Sequence, residues 1–258
     1  MNRIKNVFGK GKAFIAFITG GDPDIKTTAR LIRAMSAAGA DIIEIGIPFS
    51  DPIAEGPVIQ AASIRALSAD CTTDKLFDMV TELRKDIEIP LLFMTYANSV
   101  FAYGKERFMK HCAECGIDGL IIPDTPYEER DEFAGICRQY GIDLISMIAP
   151  TSAGRAVEIG KAAEGFLYCV SSLGVTGVRE KLTSEIASVI NIVRGVSDIP
   201  CSIGFGISTP EQAKQMAQYA DGIIIGSAIV KIIAEYGENS IEPVAAYVSE
   251  IKKVISEQ

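Results

Sequence analysis

The chain has no tryptophan and only one histidine, His111, among its 258 residues. His111 lies in "ERFMKHCAECG", a stretch of helical period that leads into a strand segment. That placement leaves no Ser-His-Asp arrangement to expect. Cys112 and Cys115 follow it in "HCAEC", but no second ligand pair comes after them, so no metal site is expected. No apolar run is long enough to cross a bilayer, and "MNRIKNVFGKGK" lacks the pattern of a secretory leader. A cytoplasmic chain with no membrane association is therefore expected. Basic residues are in deficit, with 25 Lys and Arg against 33 Asp and Glu, a net charge of −8. That balance argues against nucleic acid as a general partner. An anionic small substrate remains compatible with it only where the pocket is locally electropositive. The six cysteines (Cys71, Cys112, Cys115, Cys137, Cys169, Cys201) are scattered through mostly apolar surroundings, which suits reduced thiols rather than a disulfide framework. No lysine stands at a strand end where it would form a Schiff base, since Lys10, Lys12, Lys105 and Lys181 fall in loops or helix starts. Chemistry is left to carboxylates, hydroxyls and backbone donors.

What the chain does have is alternation. Apolar segments of strand length occur at 13–19, 41–47, 90–96, 119–124, 143–149, 166–171, 200–206 and 222–227. Amphipathic segments of helical period, such as "TTARLIRAMSAAG" and "PEQAKQMAQYA", lie between them. Eight strands, each followed by a helix, in roughly 250 residues is the pattern of a (β/α)8 TIM barrel. "GADIIEIG", "GIDGLIIP", "GIDLISMI" and "YADGIIIG" echo one another as helix ends running into strands. No linker or composition shift marks a boundary, so residues 1–258 read as one domain with an extra N-terminal helix and a short extra helix after the eighth strand. Barrels of this kind build their sites from the C-terminal strand ends and the loops that follow.

One strand carries an acid. In "IIEIGIPFSDPIAEGPVIQ", alternation puts Ile43, Ile45 and Ile47 on one face and Ile42, Glu44 and Gly46 on the other. The all-isoleucine face suits the helical layer, so Glu44 is predicted to point into the barrel, with Gly46 leaving volume beside it. A lone buried carboxylate is costly, so it must be paired, hydrogen-bonded or partly protonated. In the loop that follows, Asp51 precedes Pro52 and suits a turn, while Glu55 stands where the loop enters a helix and suits its dipole. Tyr96 and Tyr168 come from strands and read either as polar donors or as walls. "IGFGIST" and "IIIGSAIV" place Gly204, Gly206 and Gly226 in the two loops where barrels often hold phosphate, beside the helix start "SAIVKIIAEYG". Thr209 and Gln212 read as a capping box. The glycine-bearing loop "SSLGVTGVRE" is expected to fold over the same site.

The blocks "IEIGIPFSDPIAEGPVIQAA", "FMTYANSVFAYG", "GLIIPDTPYEE", "IAPTS", "FLYCVSSLGVTG", "GFGISTPEQA" and "GSAIVKII" together resemble the tryptophan synthase alpha subunit family along essentially the whole chain. The resemblance implies retro-aldol cleavage of indole-3-glycerol phosphate to indole and glyceraldehyde 3-phosphate. It implies no cofactor in this chain, and a beta-chain partner in an α2β2 heterotetramer that carries pyridoxal phosphate and receives indole through a tunnel. Glu44 falls at the family's catalytic glutamate, and Tyr168 at its active-site tyrosine. Thr176 and Gly177 match positions in the loop after the sixth strand, and Gly177, Gly206, Gly226 and Ser227 match phosphate-binding positions. Phe17 and Met94 fall at indole-pocket positions, the second usually leucine. Asp51 and Pro52 belong to the loop facing the beta chain. Glu55 is the departure: the family usually has aspartate there, set against the indole N–H. Two other readings compete. One is a different phosphate-binding barrel, which would want a lysine or another acid at the strand ends. The other is a catalytically weak alpha-like subunit that acts mainly as an allosteric partner of a beta chain.

Overall fold

In the computed structural model, residues 3–170, 179–204 and 206–257 are described. Nine strand segments form one all-parallel sheet: β1 (Ala13–Thr19), β2 (Ile42–Gly46), β3 (Leu91–Met94), β4 (Gly119–Ile121), β5 (Asp143–Leu144), β6 (Ser146–Ile148), β7 (Leu167–Val170), β8 (Cys201–Gly204) and β9 (Gly222–Ile225). Their spatial order is β5-β4-β3-β2-β1-β9-β8-β7-β6. Because β5 and β6 are consecutive pieces separated only by Ile145, the two ends of that order meet in one interrupted strand. The barrel therefore has eight strand positions, the fifth of them broken. β5 pairs with β4 and β6 with β7, so the break lets one chain segment satisfy two diverging neighbours.

Alternation divides the side chains as the sequence predicts. Ile15, Ile42, Leu92, Ile121, Ile145, Phe166, Tyr168 and Ile224 pack together inside the barrel, whereas Phe14, Ile18, Ile43, Ile45 and Phe93 press outward on the helices. The first turn, Ile4–Asn6, is a 3₁₀ turn rather than a longer helix, and its Ile4 belongs to the interior cluster. A β-carbon on Gly119 would stand 3.2 Å from Ile4 Cδ1, so Ile4 plugs the N-terminal end of the barrel.

Helices α1 (Ile25–Ala37), α2 (Pro57–Ser68), α3 (Thr73–Leu83), α4 (Ala97–Tyr103), α5 (Lys105–Cys115), α6 (Asp131–Gln139), α7 (Ala156–Ala162), α8 (Arg179–Arg194), α9 (Pro210–Ala217), α10 (Ser227–Tyr236) and α11 (Ile241–Ser256) surround the sheet. Their starts follow local chemistry. Asp24 accepts a hydrogen bond from the Thr27 amide, Pro57 opens α2, and the Thr209–Gln212 capping box opens α9 as its sequence predicts. α10 is the extra helix after the last strand, and α11 packs back against α1 and α9.

All six cysteines are buried and free. His111 is fixed by a 2.8 Å hydrogen bond between its Nδ1 and the Tyr103 hydroxyl and by edge contact with Phe77, well within the helical layer. Among the described residues no cluster could hold a metal ion, and no helix is long and apolar enough to cross a membrane.

Candidate active site

The C-terminal ends of the strands open into a cleft of about 490 Å³. Phe17 comes from β1, Met94 from β3, Met147 from β6, Tyr168 from β7 and Ile224 from β9. Ala54, Glu55 and Gly56 come from the loop after β2, and Gly206, Gly226 and Ser227 from the loops after β8 and β9. The parallel winding thus gathers residues more than 200 positions apart.

Glu44 lies under this cleft, in the middle of β2, between Phe17 of β1 and Leu92 of β3 in the register of the sheet. It is completely buried, and neither carboxylate oxygen has a hydrogen-bond partner among the described residues. With apolar neighbours on both sides and, among the described residues, no cation to offset its charge, burial pushes the carboxyl up to about 8. At neutral pH the group is mostly protonated. It is an acid held ready to give its proton. Tyr168 is also buried, and burial together with the nearby Glu44 charge drives its hydroxyl well above the ordinary tyrosine value. Tyr168 is therefore a neutral hydrogen-bonding group throughout the useful pH range. Gly204 makes room for it, since a β-carbon there would stand 2.7 Å from the phenol oxygen.

The volume beside Gly46 is not empty, contrary to expectation. The Phe17 ring fills it, and a β-carbon on Gly46 would come within 2.8 Å of Phe17 Cζ. Phe17 and Met94 meet Ile59, Ala62 and Val230 in a small apolar cluster at the barrel mouth. That cluster offers a flat, apolar wall of the kind an aromatic ring fits.

Glu55 lines the same cleft, about half-buried. One carboxylate oxygen is covered and has no partner among the described residues, and burial raises its carboxyl. The loop that carries it is anchored at the backbone. The Ala54 amide donates to the Tyr96 hydroxyl at 3.0 Å, Gln60 Nε2 donates to the Glu55 carbonyl at 2.8 Å, and Phe49 stacks on Tyr96 at 5.2 Å. Tyr96 is thus an anchor for this loop, while Tyr168 lines the cleft itself. Further out, Asp51 is exposed and held by the Ser50 hydroxyl at 2.5 Å. Pro52 follows it, and Ile53 is 80% exposed. These residues stand on the rim and do not enter the cleft.

Opposite Glu55, Gly206 and Gly226 bring backbone to the cleft wall. Gly206 has φ 73°, a left-handed conformation that favours glycine. Gly226 directly precedes α10, whose first residue is Ser227. The N-terminal end of α10 and the Ser227 hydroxyl thus lie at the cleft, and the positive end of a helix dipole is a usual setting for a phosphate. Thr176 and Gly177 lie outside the described residues, as does the expectation that their loop folds over the site. Lys231, on α10, also lines the cleft, and nothing in the sequence marked it beyond its place four residues after Ser227.

A family model described as the tryptophan synthase alpha chain matches residues 5–256. The tryptophan synthase alpha chain of Lacticaseibacillus casei is 46% identical over 255 residues, covering 99% of this chain and 96% of that one. That of Thermoanaerobacter sp. (strain X514) is 47% identical over 262 residues, covering 99% of this chain and 100% of that one. The crystal structure of tryptophan synthase subunit alpha from Legionella pneumophila str. Paris superposes with a TM-score of 0.91, at 36% identity over the full length of both chains. A ligand-free tryptophan synthase from M. tuberculosis superposes with a TM-score of 0.88 at 30% identity, covering 99% of this chain and 100% of that one.

Proposed function

The chain belongs to the tryptophan synthase alpha chain family, which cleaves indole-3-glycerol phosphate, and we propose that the cleft above Glu44 carries out this lyase reaction with Glu44, Glu55 and Tyr168 as its working groups. The carrying observation is Glu44: a wholly buried carboxyl with no hydrogen-bond partner among the described residues, pushed up to about 8 by burial, beneath a cleft lined by Gly206, Gly226 and Ser227.

The chemistry asks for this arrangement. The bond to be broken joins indole C3 to the carbinol carbon of the glycerol chain. Protonation at C3 makes that carbon tetrahedral and leaves the ring nitrogen positive. Loss of the carbinol hydroxyl proton then lets that oxygen form an aldehyde, and the electrons of the breaking C–C bond restore the aromatic ring. The products are indole and glyceraldehyde 3-phosphate, with no net gain or loss of protons. Glu44 is the group to give the proton to C3 and then, as a carboxylate, to take the hydroxyl proton. Glu55 accepts a hydrogen bond from the indole N–H and opposes the charge that develops on the ring. Tyr168, kept neutral by burial, orients the glycerol end as a donor. Phe17 and Met94 hold the indole face, while Gly206, Gly226 and Ser227 bind the phosphate through backbone amides and a hydroxyl. Thr176 and Gly177, which lie outside the described residues, are assigned to substrate binding by the family resemblance alone.

The partner is a tryptophan synthase beta chain, and we assign an α2β2 assembly that passes indole to it. The exposed loop bearing Asp51, Pro52 and Ile53, at the cleft rim, supports contact there. Pyridoxal phosphate belongs to that partner, and this chain is assigned no cofactor of its own. Six unpaired cysteines support a cytoplasmic location. Following indole release from indole-3-glycerol phosphate, with and without a beta chain, tests the assignment, and an inert chain under both conditions would overturn it.

A further inference from the structure

We infer that Lys231 is a substrate-binding residue, the cation that charge-matches the phosphate of the incoming substrate. This rests on the phosphate assignment made above and extends it. The chain carries a net charge of −8, so a phosphate dianion approaches against the overall field. The cleft it enters has two charged residues in its described lining, Glu55 and Lys231, and Lys231 is the sole positive one. A backbone cradle supplies dipoles but no full charge.

The position of Lys231 on α10 fits the role. It lies four residues after Ser227, on the same helix face, one turn further from the phosphate cradle. Side chains on a helix lean toward its N-terminus, and the lysine stem spans a turn of about 5.4 Å. A lysine at this position can therefore reach back to the level of Ser227 and Gly226. Lys231 is exposed and forms no ion pair with a described residue, so its charge is not spent within the fold. Other lysines are: Lys252 is held by Asp41 at 2.6 Å and Lys105 by Glu132 at 2.9 Å.

The test compares the wild-type chain with Lys231→Gln and Lys231→Arg, together with the beta chain. Lys231→Gln is expected to raise KM for indole-3-glycerol phosphate about fivefold at low ionic strength, with kcat changed less than about twofold. Added salt at about 0.5 M should shrink the difference, because it screens the charge. Lys231→Arg should behave like the wild type, and the melting temperature of Lys231→Gln should not fall. The Kd for glycerol 3-phosphate, measured by calorimetry, should follow KM. An unchanged KM and Kd in Lys231→Gln would overturn the inference, as would an increase that salt does not diminish. If the wild-type chain makes no indole, the proposed function fails, yet the same glycerol 3-phosphate titration still decides Lys231.

Discussion

Gly226 and Phe17 are packed so closely that a β-carbon on Gly226 would stand 2.9 Å from Phe17 Cδ1 and 3.2 Å from its Cβ. The glycine assigned to the phosphate therefore also sets the position of the aromatic ring assigned to indole. Gly226→Ala must push Phe17 toward the cleft or shift the start of α10. It is expected to raise KM and to lower kcat together, reducing kcat/KM by about tenfold or more, because a misplacement near 1 Å is costly to chemistry. Adding Phe17→Leu should recover part of the lost kcat and little of the lost binding. Steady-state kinetics of the single and double variants check this; a pure KM effect in Gly226→Ala would show that the two subsites are independent.

Glu44→Gln keeps the size and polarity of the side chain but cannot exchange the proton. Indole formation is expected to fall by about 10²-fold or more. Substrate affinity, read from glycerol 3-phosphate binding, should stay within about twofold, since glutamine keeps the size of Glu44 and Glu44 is not among the residues assigned to the phosphate. Near-normal turnover in this variant would remove Glu44 from the proton transfer.

The proton on Glu44 also marks the pH dependence of stability. The folded chain holds it up to about pH 8, whereas an unfolded chain releases it near 4.5. Between these values the folded state binds the extra proton, so raising the pH favours unfolding by about 1.4 kcal/mol per pH unit from this group. Stability from Glu44 is fully present below pH 4.5 and is lost as pH rises toward 8. The Glu44→Gln variant should therefore gain on the wild type in urea midpoint between pH 5 and 8. The kcat/KM of the wild type should decline above about pH 8 with the loss of one proton. A constant difference in midpoint across that range would mean that Glu44 ionises normally.

Glu55 reaches one C–C bond further than the aspartate usual in the family, about 1.5 Å. Its loop is held at Ala54 by Tyr96 and at the Glu55 carbonyl by Gln60, which leaves the side chain to set the reach. Glu55→Gln is expected to cripple indole release, because the charge opposing the positive ring is gone. Glu55→Asp should also lower activity, since the loop is fitted to the longer acid. A severalfold rise in Glu55→Asp would mark the glutamate as a handicap and favour the weak-subunit reading.

Much of this was legible in the residues. "AFIAFIT" gave β1 to the residue, and the isoleucine face of "IIEIGI" correctly predicted which way Glu44 points, because alternation in a strand between two apolar layers is strict. Thr209 and Gln212 declared a helix start through local hydrogen bonds alone. The break at Ile145 was not legible, since "DLISMIA" is continuous in pattern and the interruption comes from two different neighbouring strands. Nor was the filling of the Gly46 space by Phe17, which depends on how β1 and β2 align. Nor was the place of Lys231 in the cleft lining, because it stands one turn inside a helix, not at a strand end.

The most direct measurement is indole formation by the purified chain from indole-3-glycerol phosphate, assayed beside Glu44→Gln and with a beta chain added to each. Indole released by the wild type, stimulated by the beta chain and reduced about 10²-fold or more in Glu44→Gln, is the expected result. Equal indole formation by the wild type and Glu44→Gln, or none by the wild type with its partner present, would contradict it.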